Sequence, residues 1–543
     1  MSSSSDNPDG TRATGLLGGE APRRLLTQLV ALAPTNLEDP RIGRWEKPNY
    51  VRASEAIVRL AREAGLATRV YDPVVAGDVQ GEWHGLSRPN VIADLNVGAP
   101  RTVLILAHYD VVPVPAEQLS RWKSPPHSLT LRSDGRFYGR GSNDDLGSGV
   151  AASLTALGHL TDVDDLPCNV RLLVCCDEET GGAGGIEAIK AHDAALPIDD
   201  PDRFLRGSVA LIPDGSPETT AASSGHAVLL GSFDRSVPLA ETLALGESLV
   251  GLHDLARTWR SVYHSPDWPD RNAPEPVITG RASVTQFDLE EAELAPDRVG
   301  LLAAHAETDA ANQIARSVTL LFGGPAVELG SLPGRLAALV PSPFRLDEHG
   351  ATALSVPPGT LALQLVGVAT HGGYPHRGQN PVPAALRLLR DAASRGWIDQ
   401  RSVASAAFTV DLRLPPEMQL ATGLEEALRS ARSAALGRAP SARLVVPNER
   451  CRAGYAIPVD HPEVRRLDRI LQETLGSTGV RGEYGGTDAS ALRDLTTPDG
   501  HRLPALVFGS MDPLAHIHDA EESLDPALFG GVVRTIERFV REP

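Results

Sequence analysis

The sequence predicts an α/β fold: a doubly wound, mostly parallel sheet interrupted by an inserted α+β domain. Three observations predict it. Between Ala67 and Ile212, short apolar runs alternate with segments of helical spacing, the pattern of a sheet covered on both faces. After Asp214 the runs alternate apolar with polar residues, as half-exposed antiparallel strands do. From His461 the first style returns, so the insertion interrupts one domain.

Taken in order, Arg23–Ala33 and Ser54–Ala64 have helical spacing, stopped by Pro34 and Gly65. Strands are expected at Ala67–Tyr71, Asn90–Leu95 and Thr102–Ala107. A helix at Ser148–Leu160, a strand at Asn169–Cys176, a helix at Ile186–His192 and a strand at Ser208–Ile212 follow. The inserted part reads strand His226–Phe233, helix Leu239–Ser261, strand Ala282–Leu289 and helix His305–Leu321. A second set follows it: strand Leu361–Thr370, helix Val382–Ala393, strand Val403–Leu414, helix Gly423–Leu436 and strand Ala442–Val446. Both halves share the order strand–helix–strand–helix, which suggests an internal duplication without retained identity. Helix Glu463–Leu475, strand Ala505–Phe508 and helix Pro526–Arg541 close the chain. The expected boundaries are a disordered terminus at 1–19, catalytic parts at 20–215 and 448–543, and the insertion at 216–447, read as two lobes.

At 543 residues the chain is too long for a single core. A formal charge of −18 argues against nucleic acid or an anionic membrane surface as partner. No apolar run approaches the roughly 20 residues of a membrane span. The first residues, MSSSSDNPDGTRATGLLGG, lack the basic segment and apolar core of a secretory signal. Cys168, Cys175, Cys176 and Cys451 make no disulfide framework in a chain this size. The reading is a cytoplasmic, reduced protein.

Chemistry-bearing residues follow the apolar runs with regular timing. A strand buried on both faces cannot carry His108 and Asp110 inside its run, but it can present them at its carboxyl end. In extended chain the two share a side, so the carboxylate can support a metal-binding imidazole. The stretch YGRGSNDDLGSG then offers Asp144 and Asp145 in a glycine-rich loop. Asp177-Glu178-Glu179 follows the second buried strand, and adjacent carboxylates there repel one another unless a cation is present. Asp214 follows the third strand, and His516 and His518 follow the last. Mixed His and carboxylate ligands suit two Zn²⁺ or similar ions sharing a carboxylate, with an extra Glu left as a base.

In these motifs the chain resembles the M20 metallopeptidases from about Leu25 to Val540. The resemblance implies metal ligands at His108 in HYDVVPV, Asp144 in GRGSNDD, Glu179 in DEETGG, Asp214 in PDG and His518 in HDAEES. His518 is chosen over His516 because Glu522 lies four residues beyond it. The resemblance further implies that Asp110 orients His108, that Glu178 is the general base, and that the Asp144–Asp145 peptide is cis. In THGGYPHRGQNP it implies a lid histidine, His371, reaching the substrate carbonyl, with Gly378 and Asn380 nearby. Arg413 in VDLRLPP and Gly485, Gly486, Thr487 and Asp488 in GGTDAS fall at substrate-site positions. His226, His305 and His376 are read as surface or structural.

The implied fold is a zinc exopeptidase-like catalytic domain with a lid. The implied function is hydrolysis of a peptide or N-acyl amide bond of a small peptide or acyl-amino acid, using two divalent ions, Zn²⁺ before Co²⁺ or Mn²⁺. A lid holding both lobes could imitate the family dimer within one chain, so a monomer is expected rather than a homodimer. The alternative is a non-catalytic metal- or peptide-binding protein on the same fold. Glu178 favours the enzyme, because a binder has no need of that base.

Overall fold

The computed structural model describes residues 20–35, 50–77, 86–114, 116–198, 200–264, 277–291, 297–308, 313–348, 357–371, 378–399, 402–435, 437–447, 451–477 and 479–542. The expected disordered terminus lies outside them, as does His376.

Among the described residues the chain builds two large sheets over two separate hydrophobic cores. The first sheet takes β1 (Ala67–Tyr71), β2 (Asn90–Leu95), β3 (Thr102–His108), β4 (Asn169–Cys175), β5 (Val209–Ile212) and β6 (Thr219–Ser223) before the chain leaves it. The inserted sheet takes β7 (Gly225–Phe233), β8 (Arg281–Glu291), β9 (Gly300–Glu307), β10 (Ser317–Gly323), β11 (Arg345–Glu348), β12 (Leu361–Val366), β13 (Ser402–Leu414), β14 (Ala442–Val445) and β15 (Cys451–Arg452). The chain then returns through β16 (Tyr455–Ala456), β17 (Val480–Glu483) and β18 (Ala505–Val507). The chain thus changes sheets at Ser224, a little past the expected boundary, and β15 still belongs to the insertion.

The first sheet runs β1-β2-β4-β3-β5-β18-β6-β16, with β17 on β6. Its centre, β4-β3-β5-β18, is parallel, the pairs β1-β2, β2-β4, β18-β6 and β6-β16 are antiparallel, and β17 lies parallel to β6, so the sheet is mixed. The central strands are almost wholly buried in the core they share with helices such as Ala152–Leu160 and Pro526–Arg541. That is why they read as continuous apolar runs.

The inserted sheet runs β11-β12-β10-β9-β8-β13-β7-β14 and is antiparallel throughout. Strands of its two halves interleave: β13, from the second half, lies between β8 and β7 of the first. One sequence-based helix is corrected here. His305–Leu321 is not a helix, because β9 and β10 cross it as paired strands. Every residue of β10 is buried, so its apolar run carries no period and spacing could not separate helix from strand. The helix expected at Leu239–Ser261 stops at Ala256, and Arg260–His264 forms a hairpin with Val277–Thr279. This hairpin ties the insertion to the first core: Tyr263 Oη donates to the Ile457 carbonyl at 2.7 Å, and Ile278 is fully buried there.

Among the described residues, no helix is long and apolar enough to cross a membrane.

Candidate metal centre

The parallel strands end on one side of the first sheet, and the polar residues expected from the sequence gather there. His108 is the last residue of β3, and Asp214 lies two residues beyond β5. Glu178 and Glu179 occupy a single helical turn after β4, and His518 lies in the loop after β18. This is where an open α/β sheet leaves its crevice.

Asp144 sits at the middle. Its Oδ1 is 3.3 Å from His108 Nε2, and its Oδ2 is 2.8 Å from His518 Nε2. His108 Nε2 is also 4.0 Å from Asp214 Oδ2, while His518 Nε2 is 3.1 Å from Glu179. Two ligand sets result, His108–Asp144–Asp214 and Asp144–Glu179–His518, each with its donor atoms within 4.8 Å of one another. They share Asp144 alone. All five expected ligands are therefore brought together, and His516 is not among them.

The electrostatics call for a cation. Burial, with Asp144 and Asp145 nearby, pushes the Asp214 carboxyl well up. Burial likewise raises Glu179 to about 7. Burial would lower the His108 and His518 imidazoles, yet the carboxylates around them hold both well above their usual range. Burial would raise Asp144, but the two imidazoles beside it keep it ionised. His108 Nε2 is buried and hydrogen-bonded to no protein group. Buried carboxylates with an unmatched imidazole nitrogen fit divalent ions of the zinc type.

The loop carrying Asp144 is held from behind. Glu522 Oε1 accepts the N–H groups of Asn143 (3.0 Å) and Asp144 (3.2 Å), and Oε2 accepts that of Gly141 at 3.1 Å. Arg140 Nη1 pairs with Oε2 at 2.7 Å, and both side chains are 1% exposed. The Asp144–Asp145 peptide is cis, as the resemblance implied. Asp145 accepts the His108 backbone N–H at 3.2 Å, and a Cβ on Gly149 would stand 1.9 Å from that carboxylate. No side chain fits at 149. Replacing Glu522 with Gln leaves Arg140 buried without its counter-charge, a loss of about 3–5 kcal/mol. Expected is a lower denaturant midpoint for Glu522→Gln even in metal-free protein; an unchanged midpoint would show that the loop does not need this carboxylate.

Asp110 meets both His108 and the turn that carries Glu178 and Glu179. His108 Nδ1 lies 3.0 Å from the Asp110 main-chain oxygen and 3.5 Å from its carboxylate. The carboxylate instead accepts the N–H groups of Glu178 (3.0 Å) and Glu179 (3.1 Å), fixing the turn that carries both. One residue thus positions the imidazole through its backbone and the two glutamates through its side chain. Glu178 itself meets Arg452, whose Nη1 is 3.4 Å from Oε1.

The expected substrate-site residues are placed as follows. Thr487 Oγ1 accepts the Ala489 N–H at 3.3 Å, closing the turn at Asp488. Beside it, Gly486 faces open space. Asn380 donates to the Val284 carbonyl at 2.9 Å and accepts the Val382 N–H at 3.1 Å, pinning a helix start to β8. Arg413 has its fork on Asp411, at 2.7 and 2.9 Å, and reaches the Tyr484 carbonyl at 3.4 Å. His371 ends a short strand paired with Gln313–Ile314, and its side chain lies outside the described residues. Sequence reasoning missed Arg452 and set His226 aside, although β15 and β7 pair them directly.

Comparison with known proteins extends this picture. The profile described as "Peptidase family M20/M25/M40" matches residues 104–542. A succinyl-diaminopimelate desuccinylase of Acidovorax ebreus is 39% identical over 104 residues, 18% of this chain and 25% of that one. A cysteinylglycine-S-conjugate dipeptidase of Corynebacterium striatum is 33% identical over 138 residues, 25% of this chain and 29% of that one. The matched stretches thus span less than a third of these curated relatives. In structure, the dipeptidase Dug1p of Saccharomyces cerevisiae superposes with a TM-score of 0.57 at 12% identity, covering 96% of this chain and 95% of the other. At that identity the likeness is one of fold.

Proposed function

The chain belongs to peptidase family M20/M25/M40, and on that premise we propose that it is a di-metal hydrolase of the amide bond in small peptides or N-acyl amino acids. The observation that carries the reading is Asp144, whose two oxygens face two different imidazoles, while Glu178 shares a single helical turn with Glu179. His108, Asp144 and Asp214 would hold one ion, and Asp144, Glu179 and His518 the other, most simply Zn²⁺. Such ions, when bound, polarise a carbonyl and lower the pKa of water. The chain's own groups do the rest. Asp110 keeps His108 and the Glu178 turn in place. Glu178 accepts the proton of the attacking water and returns it to the leaving nitrogen. His371 is assigned to the substrate carbonyl oxygen, and Asn380, Arg413, Gly486 and Thr487 to the walls around the substrate. A cytoplasmic setting belongs to the same reading, and Cys168, Cys175 and Cys176 are buried free thiols.

The test is a panel of dipeptides and N-acyl amino acids given to Zn²⁺-loaded protein, with chelated protein as control. No turnover on any member would remove the hydrolytic reading and leave the binding-protein alternative.

We further propose that His371 serves its own chain's site, since the inserted sheet already joins strands of both halves. Mixing His371→Ala with Glu178→Gln is then expected to give no recovery of activity, and light scattering a mass near the 57.5 kDa chain. Recovery on mixing would place His371 in the partner's site.

A further inference from the structure

Of the five ligands proposed above, His518 is the most exposed. Its side chain is 47% exposed, whereas those of His108, Asp144, Asp214 and Glu179 are 11% exposed or less. Its backbone is also unfavourable. His516, His518 and Glu521 have φ of 51°, 63° and 68°, the left-handed region that side chains rarely adopt. A loop with three such residues keeps its shape only where surrounding contacts over-determine it.

Those contacts come from the stretch before the Asp144 loop. Thr130–Leu131 and Phe137–Tyr138 pair as a hairpin, and Ser523–Leu524, at the end of the His518 loop, joins it as a further strand. Arg136 places its fork on Asp512, with Nη1–Oδ2 and Nη2–Oδ1 both 2.7 Å, and its Nε donates to Ser523 Oγ at 2.9 Å. One guanidinium thus joins the two ends of the loop.

Arg132 meets Glu521 through both Nη1 and Nη2, the latter 2.9 Å from Oε1, and that oxygen also accepts the Lys123 N–H at 2.7 Å. The Arg132 guanidinium lies over the Tyr138 ring at 3.7 Å, which holds the fork from behind. Arg121 reaches Asp519 at 2.7 Å, but both side chains are exposed and the pair adds little.

The other ligand set is supported differently. His108 and Asp214 stand at the ends of the buried strands β3 and β5, and the Asp144 backbone is held by Glu522 with Arg140 behind it. Of the two sets, only Asp144–Glu179–His518 depends on the loop that Arg132 and Arg136 clamp.

We infer that Arg132 and Arg136 are positioning residues for His518, acting through Glu521 and Asp512, and that they set the affinity for the ion of the Asp144–Glu179–His518 set without setting that of the other. The inference rests on the two-ion reading above. Its signature is a sign. A guanidinium is a cation, so by charge alone its loss tightens metal binding at both positions. Loss of positioning weakens binding, and at one position.

The test titrates full-length, metal-free protein with Zn²⁺ against a chromophoric chelator, which separates the two binding steps. The step that vanishes in His518→Ala belongs to the His518 set. Arg132→Gln and Glu521→Gln change the charge in opposite directions, yet each is expected to weaken that step by about tenfold and to leave the other within about twofold. The double variant should be no weaker than either single one, because all three lose the same contact. Arg136→Gln should weaken the same step. If Arg132→Gln does not fold, Glu521→Gln, which keeps an acceptor for the Lys123 N–H, carries the same expectation. Equal weakening of both steps would make the arginines supports of the fold alone and overturns the inference. So does a His518 step that is unchanged or tightened in Arg132→Gln. A single step in the unchanged protein removes the two-ion reading and the inference with it. A failed hydrolysis panel does neither, because the titration needs no turnover.

Discussion

Glu178→Gln is expected to lower turnover by about 100-fold or more while metal content stays that of the unchanged protein. The substitution keeps size and shape. It leaves the backbone N–H groups of Glu178 and Glu179 on Asp110, so the turn keeps its place. Glu178 belongs to neither ligand set, and its loss removes no donor atom. Steady-state kinetics beside elemental analysis decides the matter. A protein that lost its metals yet kept full activity per remaining metal would mean that Glu178 is a ligand and not the base. Glu179→Gln provides the contrast, because it should weaken one ion and spare the other.

Asp144→Asn should have the larger effect on metal content. Asp144 is the residue common to both sets, so removing its charge leaves each ion two protein ligands, His108 with Asp214 and Glu179 with His518. Two ligands are too few for a closed tetrahedral site. Metal content after dialysis should fall from about two ions per chain to below one, and activity to background. The backbone of the loop should survive, since Glu522 holds it through main-chain N–H groups and Arg140, none of which involves the Asp144 side chain. Near-stoichiometric binding of both metals by Asp144→Asn would show that the ions do not share this carboxylate.

The sequence by itself determined the central strands of the first sheet and where polar residues gather beside them, for one physical reason. Strands buried on both faces exclude polar groups from their runs, so His108 closes β3 and Glu179 and Asp214 stand just past β4 and β5. The four-residue spacing to Glu522 separated His518 from His516, and the structure gives Glu522 its use as the support of the Asp144 loop.

Only the tertiary structure decided what depends on pairing between distant segments. β10 is buried on both faces and has no polar-out period to mark it; its neighbours β9 and β12 make it a strand. The antiparallel pairs of the first sheet follow from which strands meet, and no local pattern records that. Asp110 serves His108 through its carbonyl and Glu178 through its carboxylate because β3 and β4 end side by side. Arg452 reaches Glu178 from 274 residues away, and His226 joins it through the register of β7 with β15. Arg413 spends its fork on Asp411 two residues back because both are buried on one face of β13, where an unpaired charge is costly. Each of these contacts is set by packing, whose energy depends on which surfaces meet and not on which residues are adjacent in the chain.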